Sequence, residues 1–368
     1  MRIAFAIPDR EAYGFGAYLR LLLAGLSEAG PEHEYVLFTI GDAAAHLRTR
    51  PPNCREVRLP PARPRFRWRD RILAPACAAE KVDVVHFHNN TIWKRGPVPA
   101  VVSLQHYVFA YPPEEAAVSW FERWYVKRLC RRIAEGAARV TTISEASARD
   151  IERLLGLGPP KLRVIPLAGD PAFAPAPVEE VERVKRAYRL GKPYVLFPGS
   201  LGIRKNVPNM VRAFRRFNAD GAHEFVLAGE PPRAFSYRAE DLEALKGPDL
   251  RFLGFVPDAD LAALYGGAWA LFFATSYEGF GLPILEAFAC GCPVVPTGRG
   301  ATAEVAGGAA LLADPDDVAS LSAALARLSG DSALASDLRV RGATRARDFS
   351  WKKTAERTIE LYREALRT

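Results

Sequence analysis

Residues 194–206 read Tyr194-Val-Leu-Phe197-Pro-Gly199-Ser200-Leu201-Gly202-Ile203-Arg204-Lys205-Asn206. A short β-prone apolar run stops at a proline–glycine pair and passes through a glycine-flanked basic turn. It then enters a segment whose apolar residues Val207, Val211, Phe214 and Phe217 recur at helical spacing. Pro208 suits the first turn of that helix. Strand, glycine turn, helix is the unit from which parallel sheets with crossover helices are built. The amino end of a helix is already positive, so Arg204 and Lys205 beside it are disfavoured by up to about 1 kcal/mol unless an anion lies between. Two cations with free backbone amides fit a diphosphate; a solvated basic turn is the alternative.

The same rhythm runs outward in both directions. Upstream, Ile3–Ile7, Tyr35–Ile40, Val82–Phe87, Ala100–Leu104, Val140–Ile143 and Leu162–Ile165 read as strands, with helical patterns such as 16–29 and 120–137 between them. The stretch 167–177, rich in proline and small residues, reads as a linker. Downstream, strands are expected at Glu224–Leu227, Leu250–Phe252, Ala268–Phe273, Val294–Val295 and Ala309–Leu312, and helices at 317–328, 332–346 and 351–366. Two α/β domains follow, 1–172 and 173–349, with the helix in 350–368 packing back on the first. A ligand cleft is expected between them, facing the carboxyl ends of the strands.

The second chemistry-bearing stretch is Thr275-Ser-Tyr-Glu278-Gly279-Phe280-Gly281-Leu282-Pro283-Ile-Leu-Glu286-Ala287. Gly279, Gly281 and Pro283 forbid one helix carrying both glutamates. Pro283 reads instead as a first helical residue, leaving Glu278 in a loop and Glu286 one turn inside. Amides around Gly281 and Leu282 then point at a ligand, which the glycines let approach closely. Glu286, in an otherwise apolar turn, needs donors. Ribose hydroxyls would serve, and a neighbouring arginine is the alternative.

The 368 residues are 49% hydrophobic and 25% charged, which supports well-buried cores and excludes a disordered or fibrous chain. No apolar run approaches the roughly 18–20 residues of a membrane helix. The start, Met1–Asp9, reads as a first strand and not as a secretory signal. Five scattered cysteines, of which only Cys290 and Cys292 are close, match neither a zinc nor a redox spacing, and the expectation is a reduced cytoplasmic protein. Of the net charge of +8, residues 1–172 carry 25 basic against 18 acidic side chains, and 173–368 carry 25 against 24. The excess lies in the first half and favours an anionic partner there.

Arg204-Lys205-Asn206 followed by Glu278-Gly-Phe-Gly-Leu-Pro-Ile-Leu-Glu286 resembles the retaining glycosyltransferases of family 4. That family has the GT-B fold: two Rossmann-like parallel-sheet domains facing each other across a cleft. Tyr13-Gly14-Phe15-Gly16, Asp83-Val-Val-His86-Phe-His88, Thr142-Ile-Ser144, Val164-Ile-Pro166 and Leu253-Gly254-Phe255-Val256 match the family in order, so the resemblance covers almost the whole chain.

The resemblance implies a hexosyltransferase that takes a nucleotide-diphosphate sugar, GDP-mannose or a UDP-sugar, as substrate and needs no cofactor. It implies a sugar, lipid-linked or small-molecule acceptor. Arg204 and Lys205 would hold the diphosphate and stabilise the departing charge, and Glu286 would bind the ribose. Glu278, with the amides of Phe280 and Gly281, would grip hydroxyls of the donor sugar. Gly14, Phe15 and Gly16 would close over the phosphate from the first domain, with Gly199 at the turn of the second. His106 would reach the donor sugar near the reacting carbon, and the base would lie against backbone around Phe255. No carboxylate nucleophile can be nominated. The family's route is then front-face substitution, in which a donor phosphate oxygen takes the acceptor's proton.

One segment departs from the family pattern: Gly298-Arg-Gly-Ala-Thr302-Ala-Glu304 keeps the glutamate but not the turn before it. Asp258-Ala-Asp260 resembles a metal motif of another glycosyltransferase fold, but its place before a helix reads as an N-cap, and no metal is expected. His86 and His88 alternate on one strand end, so one is expected to face the cleft; a satisfied structural histidine is the plainer reading of either. Cys290 and Cys292 read as small core residues.

The basic stretches 63–71 and 120–132 fit a solvated amphipathic face, peripheral docking on an anionic membrane at its inner face, or a surface for an acceptor that carries phosphate. A Rossmann-type NAD-dependent oxidoreductase is a rival, weakened because Gly14-Phe-Gly16 lacks the third glycine of the fingerprint. A non-enzymatic basic binding protein is the other, and no nucleic-acid motif supports it.

Overall fold

The computed structural model describes residues 1–7, 13–40, 50–61, 68–88, 92–93, 96–105, 120–229 and 239–368. It divides into two compact units. The first comprises the described residues up to Leu167 together with Ser350–Thr368, and the second runs from Ala168 to Phe349. The division falls after the first residue of the stretch read as a linker, five residues ahead of the boundary expected after 172.

The first unit is a seven-stranded sheet in which every adjacent pair is parallel. Its strands are β1 (Arg2–Ile7), β2 (Glu34–Ile40), β3 (Cys54–Leu59), β4 (Val84–Phe87), β5 (Ala100–Ser103), β6 (Arg139–Thr142) and β7 (Leu162–Val164), in spatial order 3-2-1-4-5-6-7. The order reverses between β1 and β4, the point where a doubly wound sheet leaves room for a ligand beyond its strand ends. Residues Ile3–Ile7 are at most 1% exposed, because helices cover both faces of a parallel sheet. The helices are α1 (Tyr13–Ala29), α2 (Ala74–Ala79), α3 (Trp120–Gly136) and α4 (Glu145–Leu155). Ser144 caps α4 by accepting from Ser147 N at 3.0 Å.

The second unit is a five-stranded parallel sheet of β8 (Tyr194–Pro198), β9 (Glu224–Ala228), β10 (Leu250–Phe252), β11 (Ala270–Phe273) and β12 (Val294–Pro296). Their order is β10-β9-β8-β11-β12, so the reversal lies between β8 and β11. Around it lie α5 (Val178–Ala187), α6 (Val207–Phe217), α7 (Ala239–Ala244), α8 (Asp258–Gly267), α9 (Leu282–Ala289), α10 (Gly300–Ala306), α11 (Val318–Gly330) and α12 (Ser332–Ala346). The apolar stripe foreseen for α6 is buried at Val207, Val211 and Phe214 and half-buried at Phe217, and Met210, not foreseen, is buried with it.

The chain then returns to the first unit as α13 (Trp351–Ala365), capped by Ser350 Oγ accepting from Lys353 N. Gly25 of α1 allows the approach: a Cβ there would stand 2.6 Å from the Trp351 carbonyl oxygen. The Tyr362 hydroxyl shares a 2.7 Å hydrogen bond with Nδ1 of His86, whose Nε2 bonds Ser103 Oγ at 2.8 Å. His86 and His88 are both fully buried, and His86 has the satisfied structural role.

Three expectations are corrected. Strand β3 was not foreseen, because Cys-Arg-Glu-Val-Arg-Leu carries the polar residues of a half-exposed edge strand. Ala309–Leu312 is not a strand: Gly307 and Gly308, both at positive φ, delay the chain until only one bridge forms, Thr297 to Ala313. Asp258 and Asp260 are not N-caps, because Pro257 takes that position and both carboxylates fall within the first turn of α8. There Asp260 accepts from Arg183 at 2.6 Å and from the Tyr188 hydroxyl at 3.0 Å.

Candidate functional site

The two motifs leave the carboxyl ends of β8 and β11, the paired strands that flank the reversal of the second sheet. That topology brings residues more than seventy positions apart into contact. After Pro198 the chain turns at Gly199, whose φ of 115° excludes a side chain at low cost. The neighbouring Gly229 is equally required, since a Cβ there would stand 1.9 Å from the Gly199 carbonyl oxygen. A 3₁₀ turn, Ile203–Lys205, and the left-handed Asn206 (φ 56°) then deliver the chain into α6, with Pro208 in its first turn.

Glu278 is the hub of the cluster. Its Oε1 lies 2.6 Å from Lys205 Nζ and 2.8 Å from an Arg204 guanidinium nitrogen. Arg204 also donates to the Tyr277 carbonyl at 2.9 Å, and its own carbonyl accepts from Ser276 N at 3.0 Å. Lys205 stands 5.3 Å over the Phe273 ring. Burial alone would raise the Glu278 carboxyl, but Lys205 and Arg204 outweigh it and hold it below the ordinary carboxylate range. Burial, with Arg204 adding to it, draws the Lys205 ammonium below its ordinary value despite Glu278. Two cations facing one carboxylate leave a local charge of +1 on largely buried groups, an arrangement that an arriving anion relieves.

Asn206 locks this turn in place. Its side-chain amide donates to the carbonyls of Ala274 (3.0 Å) and Pro315 (2.7 Å), tying the basic turn to the end of β11 and to a third loop. Gly281, at φ 111°, occupies the N-cap of α9, so that helix opens directly after the Glu278 loop. Phe280 is buried, edge-on to Phe349 with centroids 5.9 Å apart, and Leu282 begins the helix. The two glutamates are therefore separated as the glycines and proline required.

Glu286 is half-buried on α9 and accepts a 2.9 Å hydrogen bond from the Tyr265 hydroxyl of α8. No arginine bond to it was found among the described residues; the donor is the tyrosine. Burial pushes the Glu286 carboxyl up to about 7, with the charges of Asp258 and Asp170 adding to the rise and the Tyr265 bond opposing it. Phe173 packs edge-on to Tyr265, centroids 5.7 Å apart, and fixes the ring. Phe255, 60% exposed, lies between β10 and α8.

The structure thus brings together Arg204, Lys205 and Glu278, and sets Gly199, Phe280, Gly281, Leu282 and Glu286 on the adjoining loop and helix of the same unit. Gly14, Phe15 and Gly16 form the first turn of α1 in the first unit, so that helix begins ahead of the pattern read from residue 16. His106 lies outside the described residues. Two residues in the site were missed. Asn206 stood in the quoted motif without a role, although an asparagine after a basic pair at a helix start is a signal for a left-handed turn. Tyr265 carried no signal beyond being a tyrosine in an apolar helix. Cys290 and Cys292 are buried in the core, as read, and burial raises both thiols to about 12.

Comparison with known proteins bears on this arrangement. The model of the family described as "Glycosyltransferase Family 4" matches residues 13–173, and that described as "Glycosyl transferases group 1" matches 178–347. An O-antigen chain mannosyltransferase B of Escherichia coli is 31% identical over 250 residues, 65% of this chain and 64% of that protein. A 2-deoxystreptamine glucosyltransferase of Streptomyces kanamyceticus is 30% identical over 272 residues, covering 71% of this chain and 66% of the relative. The match spans only 31% of a serotype-specific mannosyltransferase of E. coli, so the chain covers less than two thirds of these relatives' lengths. Among solved structures, a sucrose-phosphate synthase of Thermosynechococcus elongatus superposes with a TM-score of 0.74 at 22% identity, covering 99% of this chain and 98% of that one. An Anabaena protein solved with UDP and glucose gives 0.72 at 18% identity, covering 98% and 99%. These likenesses establish the two-domain GT-B fold. With both halves of the chain matched in order, the protein belongs to the group 1, family 4 glycosyltransferases.

Proposed function

We propose that this chain is a retaining hexosyltransferase that moves a sugar from a nucleoside diphosphate onto a carbohydrate or lipid-linked acceptor. The observation that carries the reading is the Arg204–Glu278–Lys205 cluster: two largely buried cations share one carboxylate at the carboxyl ends of β8 and β11. An incoming diphosphate takes over both cations and leaves Glu278 to accept hydroxyls of the donor sugar. Glu286, beside Tyr265, accepts the ribose hydroxyls once ionised.

In the reaction the bond from the anomeric carbon to the diphosphate oxygen breaks while the acceptor oxygen bonds to the same face. The acceptor's proton passes to an oxygen of the departing phosphate. The chain's own contribution is to position the donor and to neutralise the developing charge with Arg204 and Lys205. Mannosyltransferases recur among the relatives, so GDP-mannose heads the donors to be tried, followed by UDP-sugars.

Melting curves with UDP, GDP, ADP and NAD test the class: a ligand at 100 times its Kd stabilises by about 2.7 kcal/mol. Stabilisation by a nucleoside diphosphate supports the proposal, and stabilisation by NAD alone overturns it. Donor hydrolysis across nucleotide sugars then identifies the substrate. Because Arg204 and Lys205 meet the leaving charge, turnover should survive a chelator. Loss that magnesium restores would show that a metal shares that task.

A further inference from the structure

We infer that the outward face of α3 is a docking surface for an anionic lipid bilayer, a role separate from the donor site proposed above. Of the six tryptophans in the chain, only Trp120 (78%) and Trp124 (52%) are exposed, and both stand on this helix. At 100° per residue, Trp120, Trp124, Lys127, Arg128 and Arg131 fall on one stripe, with Arg132 at its border. All four cations are exposed. Cys130 and Ile133 point the opposite way and are fully buried in the core of the first unit, which fixes the stripe outward. Arg128 lies 5.8 Å over the Trp124 ring, so one cation and one indole form a joint patch. The one acid on this stripe among the described side chains is Glu135, near the helix end.

Exposed indoles cost solvation in water, and a cationic face alone would need none. Their combination matches the interface of a bilayer: indole rings settle at headgroup depth, and Lys and Arg meet anionic phosphates. A single-stranded nucleic acid also offers phosphates and stacking, but it calls for a groove that tracks a backbone over several nucleotides, whereas the hollow here, about 380 Å³, is lined by one helix alone, from Trp124 to Glu135. The other basic stretch does not extend the patch through its tryptophan, since Trp68 is 1% exposed and belongs to the core. No helix among the described residues is long and apolar enough to cross a membrane, so the attachment proposed is peripheral.

Flotation of the full chain with vesicles of phosphatidylcholine, alone or mixed with phosphatidylglycerol, tests this. Binding is expected only with phosphatidylglycerol present and should be released by high salt. At about fivefold in partitioning per cation, Arg128→Glu with Arg131→Glu should weaken it at least about 25-fold. Trp120→Ala with Trp124→Ala should weaken it roughly tenfold. Each variant is checked by circular dichroism and by its melting shift with nucleoside diphosphate; Arg128→Glu alone, at an exposed position, serves where a double variant fails to fold. The inference is overturned by failure to bind anionic vesicles, by equal binding to neutral ones, or by variants that bind like wild type. It is overturned equally if single-stranded DNA binds in a manner the variants abolish while vesicles do not bind.

Discussion

The Tyr265 hydroxyl donates a 2.9 Å hydrogen bond to Oε2 of Glu286, from α8 to α9. Among the described residues it is the only influence found on that carboxyl that favours its ionised form; burial, Asp258 and Asp170 all oppose it. With the carboxyl at about 7, affinity for a nucleoside diphosphate should rise with pH through neutrality, because the carboxylate accepts from two ribose hydroxyls on charged oxygens, whereas the acid keeps only a weaker, neutral acceptor. Tyr265→Phe removes the opposing bond, so the rise should move up by about one pH unit. Calorimetric titration from about pH 6 to about pH 9 reads the midpoint. A profile that stays in place would mean that Tyr265 is packing alone.

The same carboxyl sets a trade between stability and binding. Its value in the folded chain, about 7, lies above the 4.5 of an exposed glutamate. Below pH 4.5 both states hold the proton and its stabilising contribution is complete; as pH rises through 7 the contribution is lost. Because Glu286 is only half-buried, the loss is about 2 kcal/mol and not the full value of the shift. Glu286→Gln should therefore melt higher than wild type at about pH 8 and lose that advantage in acid. Its affinity for nucleoside diphosphate should fall roughly tenfold. Thermal melts at two pH values with a binding isotherm check both halves.

Lys205→Ala should reduce turnover by about 10² to 10³, the scale of removing a charge-stabilising donor from a transition state. Glu278 keeps Arg204 as a partner in that variant, so the fold should survive with a loss of about 1–2 kcal/mol. Glu278→Gln with Lys205→Ala should lose less than the two single changes added, since each single change strands the other's charge. Turnover and urea midpoints on the four proteins test this; a wild-type rate for Lys205→Ala would remove it from the site.

Much of this site was legible because its chemistry is written in short runs. Gly199, Arg204 and Lys205 follow a strand, while Gly281 and Pro283 force a helix start between two glutamates, and the structure bears out both local readings. What the runs could not give is who meets whom. Glu278 was assigned to a sugar, and in the structure it holds Arg204 and Lys205, a contact set by the pairing of β8 with β11. Asn206 and Tyr265 act on partners 68 and 21 positions away, distances no local pattern carries. Strand β3 escaped for the converse reason: as an edge strand it needs little apolar sequence, and its register with β2 is tertiary information.

Asn206→Ala should show how far the turn itself matters. It leaves the Ala274 and Pro315 carbonyls without their donor and places alanine at φ 56°. Together these cost about 2–4 kcal/mol. Because the same turn aims Arg204 and Lys205, kcat/KM should fall about tenfold or more in the variant that remains folded. Asn206→Asp keeps the backbone preference but turns two donors into acceptors, so it should be at least as damaging. If Asn206→Asp matched wild type in melting and rate, the two carbonyl bonds would carry no weight.

The two units should respond to mild acid in opposite directions. His86 in the first is fully buried between Tyr362 and Ser103, and burial, reinforced by His88, lowers its imidazole to about 3. An unfolded histidine takes a proton near 6.5 while this one does not. The contribution is therefore complete above pH 6.5 and is lost as pH falls towards 3, by up to about 5 kcal/mol. Glu286 in the second unit has the reverse sign. Hydrogen exchange at about pH 5, compared with about pH 7.5 after correction for intrinsic rates, should show β4, β5 and α13 less protected and α9 more so. His86→Gln should abolish the first change and leave the second. Protection that rises or falls together in both units would refute the assignment of opposite signs to these two side chains.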